Sequence, residues 1–259
     1  MKFLIFAPPY RNSSAGVRVL HRLAAELNKL GCSAFVFTAW KKFDQLKANI
    51  GDCIVVYPEI IEGNPIGAKN VVRYILNKPG YMEEKGATYA ESELVFVYTE
   101  ALLETAQSFT SQKLDDSRLM EISVIEPWIF QPKPEIEKVY DVAFWIGKGI
   151  ETAQGNGEKI QDYLQGKRHI QITYDQPGTR EGLASLFQSC REFLTADDFT
   201  AMIPEAMLCG CKVTIVTPTG LVACDGDPGR WRTAWHDTSA IGNFVSVCRQ
   251  KFLPCAAAA

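Results

Sequence analysis

The sequence has few of the residues from which catalytic or metal-binding clusters are usually built. It contains three histidines among 259 residues. None can be paired by spacing with a serine, cysteine or aspartate, so hydrolase chemistry has no positive support. The eight cysteines include no Cys-x-x-Cys pair and so no zinc-ligand spacing. We expect free thiols packed as small apolar residues in a reducing compartment, and we expect no metal site.

Long apolar runs and an excess of positive charge are also missing. No stretch approaches the roughly 20 apolar residues of a membrane-spanning helix, and the apolar run at residues 3–7 is too short for a signal-peptide core. Lys and Arg number 27 against 30 Asp and Glu, a formal net charge of −3, so the chain lacks the positive field of nucleic-acid binders. We therefore expect a cytoplasmic protein without a nucleic-acid partner or a transmembrane segment, and peripheral membrane contact stays open.

Two common nucleotide-binding motifs are absent as well. The chain has no Gly-x-x-x-x-Gly-Lys-Ser/Thr loop, and no Gly-x-Gly-x-x-Gly follows a strand, which counts against an NAD-dependent dehydrogenase. Hydrophobic residues make up 47% and charged residues 22% of the chain, as in an ordinary globular protein. A folded protein of one large or two modest domains is expected.

Along the chain, short β-favouring runs alternate with amphipathic helical patterns. Such alternation predicts α/β architecture with parallel sheets and right-handed crossovers. The predicted strands are residues 2–7, 33–38, 53–57, 94–98, 122–125, 140–146, 169–173, 192–195 and 212–216. The predicted helices are residues 14–30, 68–76, 159–164, 180–190, 201–208 and 241–252.

A proline-rich stretch separates two such α/β blocks. Residues 126–134 hold three prolines and no periodicity, so they are the best linker candidate. We expect two Rossmann-like domains. Their predicted bounds are 1–127 for the first domain, 128–138 for the linker, 139–240 for the second domain, and 241–259 for a C-terminal helix and tail.

The most informative segment, residues 194–213, predicts a strand, a loop, a helix and another strand. Thr200 can cap the helix, and the free N–H groups of Ala201 and Met202 would then face the end of the sheet. A helix N-terminus in that place is a natural seat for a phosphate or diphosphate. Asp197 lies in the loop, and Glu205 follows on the helix, where a buried carboxylate can accept from two adjacent ribose hydroxyls. A capped helix with two surface acids is the alternative.

This segment resembles the acidic signature of GT-B glycosyltransferases, especially the large retaining family four. In that family Glu, seven residues and Glu precede Ala-Met-x-x-Gly-x-x-Val. Residues 205–207 and Gly210 match, and Phe199 stands two positions after the first acid. Asp197 replaces the usual glutamate and shortens its reach by one methylene.

The resemblance implies a role for each matching residue. Glu205 would hold the nucleotide ribose, and the amides of Phe199, Thr200 and Ala201 would bind the diphosphate and sugar hydroxyls. Lys148, in the Gly147-Lys148 pair at the end of a predicted strand, would neutralise the diphosphate with its positive charge. The alternative is a solvated lysine in a turn. The complete set of candidate donor-binding residues is Gly16, Gly147, Lys148, Tyr174, Asp197, Phe199, Thr200, Ala201, Met202 and Glu205, with Lys148, Asp197 and Glu205 as candidate catalytic residues.

Two members of this set lie outside the signature. Gly16 stands in the loop between the first strand and helix, where such enzymes carry a pair of glycines and this chain has one, after Ala15. Tyr174 occupies the place where the nucleobase usually stacks, with a packed aromatic as the alternative.

The resemblance therefore implies a compact GT-B enzyme with two Rossmann-like domains facing across a cleft. The first domain would bind the acceptor and the second the donor, and the C-terminal helix would pack back on the first domain. Such a hexosyl- or pentosyltransferase would move sugar from a nucleotide-diphosphate sugar to a glycan hydroxyl, with retention and without a metal or other cofactor, in surface-glycan or polysaccharide biosynthesis. A sugar-nucleotide epimerase, a phosphorylase and a catalytically silent nucleotide-sugar-binding module remain the alternatives.

Overall fold

The computed structural model describes residues 1–38, 50–80, 89–147 and 157–253. The chain divides into two units, Met1–Ile122 with Asp237–Ala259, and Ser123–His236. The elements up to the end of the first sheet are β1 (Lys2–Phe6), α1 (Ala15–Lys29), β2 (Ser33–Phe37), β3 (Ile54–Pro58), β4 (Asn70–Ile75), β5 (Leu94–Val97) and α2 (Leu103–Gln107). Those that follow are β6 (Tyr140–Trp145), α3 (Gly157–Leu164), β7 (His169–Gln171), α4 (Arg180–Gln188), β8 (Cys190–Thr195), α5 (Met202–Leu208), β9 (Lys212–Thr217), β10 (Gly220–Ala223), α6 (Gly229–Ala234) and α7 (Ser239–Phe252).

The first unit is built on a parallel sheet with the strand order β2-β1-β3-β4-β5 among its described residues. Every residue of β3, β4 and β5 is buried, as expected for strands covered on both faces. The predicted first helix is confirmed: Ser14 caps it by accepting from the Val17 amide at 3.4 Å, and Gly31 follows its end with φ of +78°. Glycine adopts this left-handed conformation without the penalty that a Cβ brings.

The helix predicted at residues 68–76 is wrong, because this segment contains β4. Val71, Val72 and Ile75 are β-branched and favour a strand when a sheet buries both of their faces. Arg73, read from the sequence as a solvated helix residue, lies in the same strand and is 1% exposed. Residues 122–125, predicted as a strand, are buried but form no strand.

The second unit contains a sheet with the order β10-β9-β8-β6-β7, in which only β10 runs antiparallel among the described strands. Its four parallel strands and the helices α3, α4 and α5 were predicted within a few residues. No sequence pattern indicated the short elements β10 and α6, or α2 of the first unit. Two parallel-dominated sheets in a mixed α/β chain agree with a Rossmann-like organisation.

The limits of the two units differ from the domain limits expected from the sequence. The second unit begins at Ser123 and includes residues 128–138, where Phe130 is fully buried in that unit's core. The helix α7 belongs to the first unit, where the ring of Phe244 lies 5.6 Å from that of Phe3 and 5.0 Å from that of Phe96. Within the described ranges, the helices are all too short or too polar to cross a membrane.

Candidate functional site

The strand order of the second sheet creates a switch point between β6 and β8. The chain leaves β6 to form β7 on one side and then returns to form β8 on the other side of β6. Loops that leave two neighbouring parallel strands in opposite directions open a crevice at the carboxyl edge of the sheet, and α/β proteins bind ligands there. The residues that follow β6 and β8 are therefore the first candidates for a site.

Close packing at this edge of the sheet requires a glycine at position 147, two residues after the end of β6. Its φ is +54°, and a Cβ at this position would stand 2.2 Å from Nε1 of Trp145 and 3.0 Å from Oδ2 of Asp197. No larger residue fits without moving the indole. The structure thus brings together Gly147 and Asp197, two of the candidate residues, and adds Trp145, which was not among the candidates.

The loop after β8 is held by its own side chains. Oδ1 of Asp197 accepts from the Phe199 amide at 3.2 Å, and Oγ1 of Thr200 accepts from the Met202 amide at 3.3 Å. The helix α5 begins at Met202 with Ala201 as its N-cap and has seven residues, so it starts one residue later than predicted. The amides of Phe199 and Met202, expected to be available to a diphosphate, have protein partners in this loop.

Glu205 has a partner that the sequence analysis did not find. The side chain is fully buried. Its Oε2 accepts from Nη1 of Arg180 at 3.2 Å, while its Oε1 accepts from Nη2 of the same residue. Nε of Arg180 donates to Oε2 of Glu126 at 2.9 Å, and the guanidinium lies 4.5 Å from the centre of the Phe130 ring. A carboxylate held in this way faces a guanidinium where the sequence analysis expected a ribose.

The electrostatics of this cluster favour the charged arginine. Burial by itself would lower the pKa of Arg180, but the two carboxylates outweigh burial and raise that pKa above its ordinary value. Arg180 is the first residue of α4, and it stands 25 residues from Glu205 and 54 from Glu126 in the sequence. No local spacing pattern could have indicated these pairs.

Tyr174 lies beside the same edge of the sheet with half of its surface open. It is 51% exposed, and its ring meets that of Trp145 edge-on with the centroids 4.9 Å apart. An exposed aromatic face next to the crevice can stack on a planar ring such as a nucleobase. The role predicted for Tyr174 stays a prediction.

The remaining predicted residues are Gly16 and Lys148. Gly16 is the second residue of α1 in the first unit, and a Cβ there would meet Cδ1 of Leu76 at 3.7 Å, an ordinary contact. Packing therefore does not demand glycine at this position. Lys148 lies outside the described residues. Within the described ranges, no group of three or more His, Cys, Asp and Glu side chains could hold a metal ion.

Comparison with known proteins finds only a distant structural likeness. No protein-family model and no curated protein matches the chain. Among solved structures, the chain is similar to the glycosyltransferase VinC, determined in complex with DTDP, with a TM-score of 0.35 and 11% sequence identity. This similarity extends over 97% of the present chain and 95% of that one. At this level it is a weak structural similarity to a glycosyltransferase and assigns no family.

Proposed function

We propose that the chain is a retaining glycosyltransferase that moves a sugar from a nucleotide-diphosphate sugar to a glycan hydroxyl. The observation that carries the proposal is the crevice between β6 and β8, where the Asp197 carboxylate, the Trp145 indole and the glycine backbone at Gly147 meet beside the exposed ring of Tyr174. A hydrogen-bonding side chain and an aromatic face at a switch point suit a polyhydroxylated ligand that carries a planar base.

The acidic signature adds the chemistry. Asp197 is proposed to accept from a hydroxyl of the donor sugar, and Tyr174 to stack on the base. We assign Glu205 to holding Arg180 and α5, because a fully buried carboxylate with both oxygens on a guanidinium leaves a ribose no access. The resemblance proposes Lys148 as the cation that neutralises the diphosphate, whose negative charge grows as the sugar leaves.

Product analysis with a labelled donor tests the proposal. The purified protein is incubated with UDP-, GDP-, ADP- and dTDP-linked hexoses and pentoses that carry a radiolabelled sugar, together with mono- and disaccharide acceptors. Label on a second saccharide identifies a transferase. A changed sugar on the same nucleotide would instead identify an epimerase, a sugar phosphate formed with inorganic phosphate a phosphorylase, and binding without turnover a silent module.

A matched pair of variants connects the activity to the site. Asp197→Ala should lower the transfer rate by about 10²–10³-fold, the usual cost of losing an electrostatic contact to the transition state. Asp198→Ala removes the neighbouring exposed carboxylate and should leave the rate near that of the parent. Equal rates for both variants would remove Asp197 from the site.

A second measurement tests the proposed role of Lys148 as a replacement for a divalent cation. Initial rates of transfer should survive EDTA, and Lys148→Ala should lower the chemical step more than donor binding. Activity that EDTA abolishes and Mn²⁺ restores would overturn the metal-free mechanism.

A further inference from the structure

A half-exposed tryptophan stands on the surface of the second unit, in a turn whose other residues are anchored. Trp128 is 52% exposed. The carbonyl oxygen of Glu126 accepts from the amides of Ile129 and Phe130, at 2.9 Å each, and closes the turn. The ring of Phe130 is fully buried in the core of this unit. The turn is therefore fixed, while the indole that it carries is open to solvent.

A second indole sets the orientation of the first. Trp235 follows α6 and meets the ring of Trp128 edge-on, with the centroids 4.7 Å apart and the ring planes at 87°. Trp231, one turn earlier, packs against the core cluster of this unit and so holds α6 in place. Since rings that meet edge-on do not cover each other's faces fully, Trp128 keeps a rigid aromatic surface open.

The size of this surface limits what can cover it. Half of an indole side chain is on the order of 100 Å², whereas a stable protein–protein interface buries about 800 Å² on each partner. Residues 131–135 are exposed and carry no large apolar side chain, so the aromatic surface does not extend along the chain in that direction. An area of this size fits one or two rings of a small ligand.

The charges around the pair of indoles disfavour an anionic ligand. The two segments that carry the pair, residues 126–138 and 225–236, contain five acidic and four basic side chains. The phosphates of nucleic acids and of anionic lipid headgroups bind where positive charge is in excess. A neutral ligand is therefore expected.

A sugar ring has the properties that this surface selects. One face of the ring consists of C–H groups, which are attracted to the negative face of an aromatic ring. Its hydroxyl groups donate and accept hydrogen bonds at the rim. The exposed side chains of Gln131 and Arg232, each three residues from a tryptophan of the pair, can bond such a rim.

We propose that Trp128 is a stacking platform on which the second unit holds a neutral sugar ring of a glycan. The platform is built from the turn at residues 126–130 and from α6 with Trp235, which contribute none of the residues named at the crevice between β6 and β8. The inference goes beyond the proposed function, because a glycan at Trp128 is held whether or not the crevice transfers a sugar.

Fluorine NMR of the full chain labelled with 5-fluorotryptophan tests the platform. The chain has five tryptophans, and single Trp→Phe variants assign their signals. The probes are the neutral trisaccharides maltotriose, cellotriose, mannotriose and triacetylchitotriose, with no nucleotide present. At least one of them should shift the Trp128 signal in a saturable way and leave the signal of Trp145, at the crevice, unchanged.

Calorimetric titration with that trisaccharide then compares variants. Trp128→Ala should bind it about tenfold more weakly, because the stacking contact is lost. Trp128→Phe keeps a smaller ring and should fall between Trp128→Ala and the parent. Tyr10→Ala is the matched control and should leave the Kd unchanged, since Tyr10 is 57% exposed and also meets an aromatic ring edge-on, that of His21 at 5.3 Å.

The other possible occupants of this surface give different results. A Trp128 signal that shifts with phosphatidylglycerol vesicles instead of a saccharide would mean that a membrane covers the indole. A signal that shifts with protein concentration alone would mean that a second copy of the chain covers it. Either result would overturn the inference, as would a Trp128 signal indifferent to all four trisaccharides or an unchanged Kd for Trp128→Ala.

The same measurements separate this inference from the proposed function. Because the signals of the parent are read directly, they decide the question even where Trp128→Ala fails to fold. Sugar transfer by a parent whose Trp128 signal ignores saccharides would overturn the inference and leave the proposed function standing. Saccharide binding at Trp128 without any sugar transfer would leave the inference standing and overturn the proposed function.

Discussion

Each unit contains a buried arginine held by a glutamate, and the two clusters differ in how much negative charge surrounds the guanidinium. Arg73 in β4 donates to Glu93 from Nε at 3.1 Å and from Nη2 at 3.2 Å. Its other bonds go to the carbonyl oxygens of Ile61 at 2.5 Å and Gly63 at 2.8 Å. This cluster joins one cation to one carboxylate and to neutral acceptors.

Arg180 instead lies between two carboxylates. Glu205 is completely buried, while the side chain of Glu126 keeps 22% of its surface exposed. One guanidinium therefore faces two formal negative charges. The comparison teaches that similar ion pairs depend on different partners. Among the described residues, the first cluster depends on one carboxylate and the second on one cation.

The largest effect is expected for Arg180→Met. The change leaves a buried and a partly buried carboxylate facing each other, and breaking a buried pair costs about 3–5 kcal/mol of unfolding free energy. We expect the upper end of that range for Arg180→Met and the lower end for Arg73→Met, measured by urea unfolding. The double variant Arg180→Met/Glu205→Leu should recover part of the loss, and a single variant no less stable than the double would contradict this account.

Removal of the glutamates should reverse the order of the two clusters. Glu93→Ala leaves Arg73 buried with two carbonyl partners among the described residues, so a loss of about 3 kcal/mol or more is expected. Glu205→Ala leaves Arg180 paired with Glu126 and should cost about 1.5–3 kcal/mol, the value of a hydrogen bond to a charged group. Urea unfolding of both variants checks the order, and a greater loss for Glu205→Ala would show that Glu126 does not compensate.

A smaller effect is expected from Arg180→Lys. The ammonium group keeps the positive charge but cannot present the planar fork that reaches both carboxylates, so about 1.5 kcal/mol should be lost. Nucleotide-sugar affinity measured beside stability sharpens the result. An unchanged unfolding free energy would mean that the cluster needs charge and not the geometry of the guanidinium.

The smallest effect is expected at Cys209, whose pKa depends in part on the charge of Glu205 in the second cluster. Burial and then the charge of Glu205 raise its pKa from 9.0 to about 12. The folded chain therefore keeps this proton at a pH where the unfolded chain has lost it. The contribution of the protonated thiol to the free energy of unfolding is complete below pH 9 and declines as the pH rises toward 12. Urea unfolding at pH 8 and pH 10 should show a shallower decline for Cys209→Ala than for the parent, with Cys53→Ala as the control for a cysteine replacement. Identical slopes in all three would remove the thiol from the alkaline transition.

Several features could be predicted because they depend on neighbouring residues. The spacing of Val17, Leu20 and Leu27 indicated α1, and the glycine after it marked its end. The segment from β8 to β9 was recognised from the order of its strand, acidic loop, helix and glycine. Asp197 and Gly147 were each selected from their own segments, and the structure brings the two residues together.

Other features depend on residues that meet only in the fold. The segment that forms β4 has apolar residues that suit either a buried helix or a buried strand, and the pairing with β3 and β5 decides between them. Glu205 matched a known signature, but its access to a ligand depends on Arg180, which arrives from another helix.

The sequence by itself determined most of the alternation of strands and helices, because hydrophobic periodicity and glycine or proline stops act over a few residues. It also located Asp197 in the loop after one predicted strand and Tyr174 in the turn after another. Only the tertiary structure decided that Arg180 closes over Glu205, that Arg73 is buried with Glu93, and that the Trp145 N–H is left without an acceptor among the described residues. Charge pairing and the loss of water from a polar group depend on distance in space. Partners that are 20 to 54 residues apart in the sequence show no local pattern that reveals their proximity in the fold.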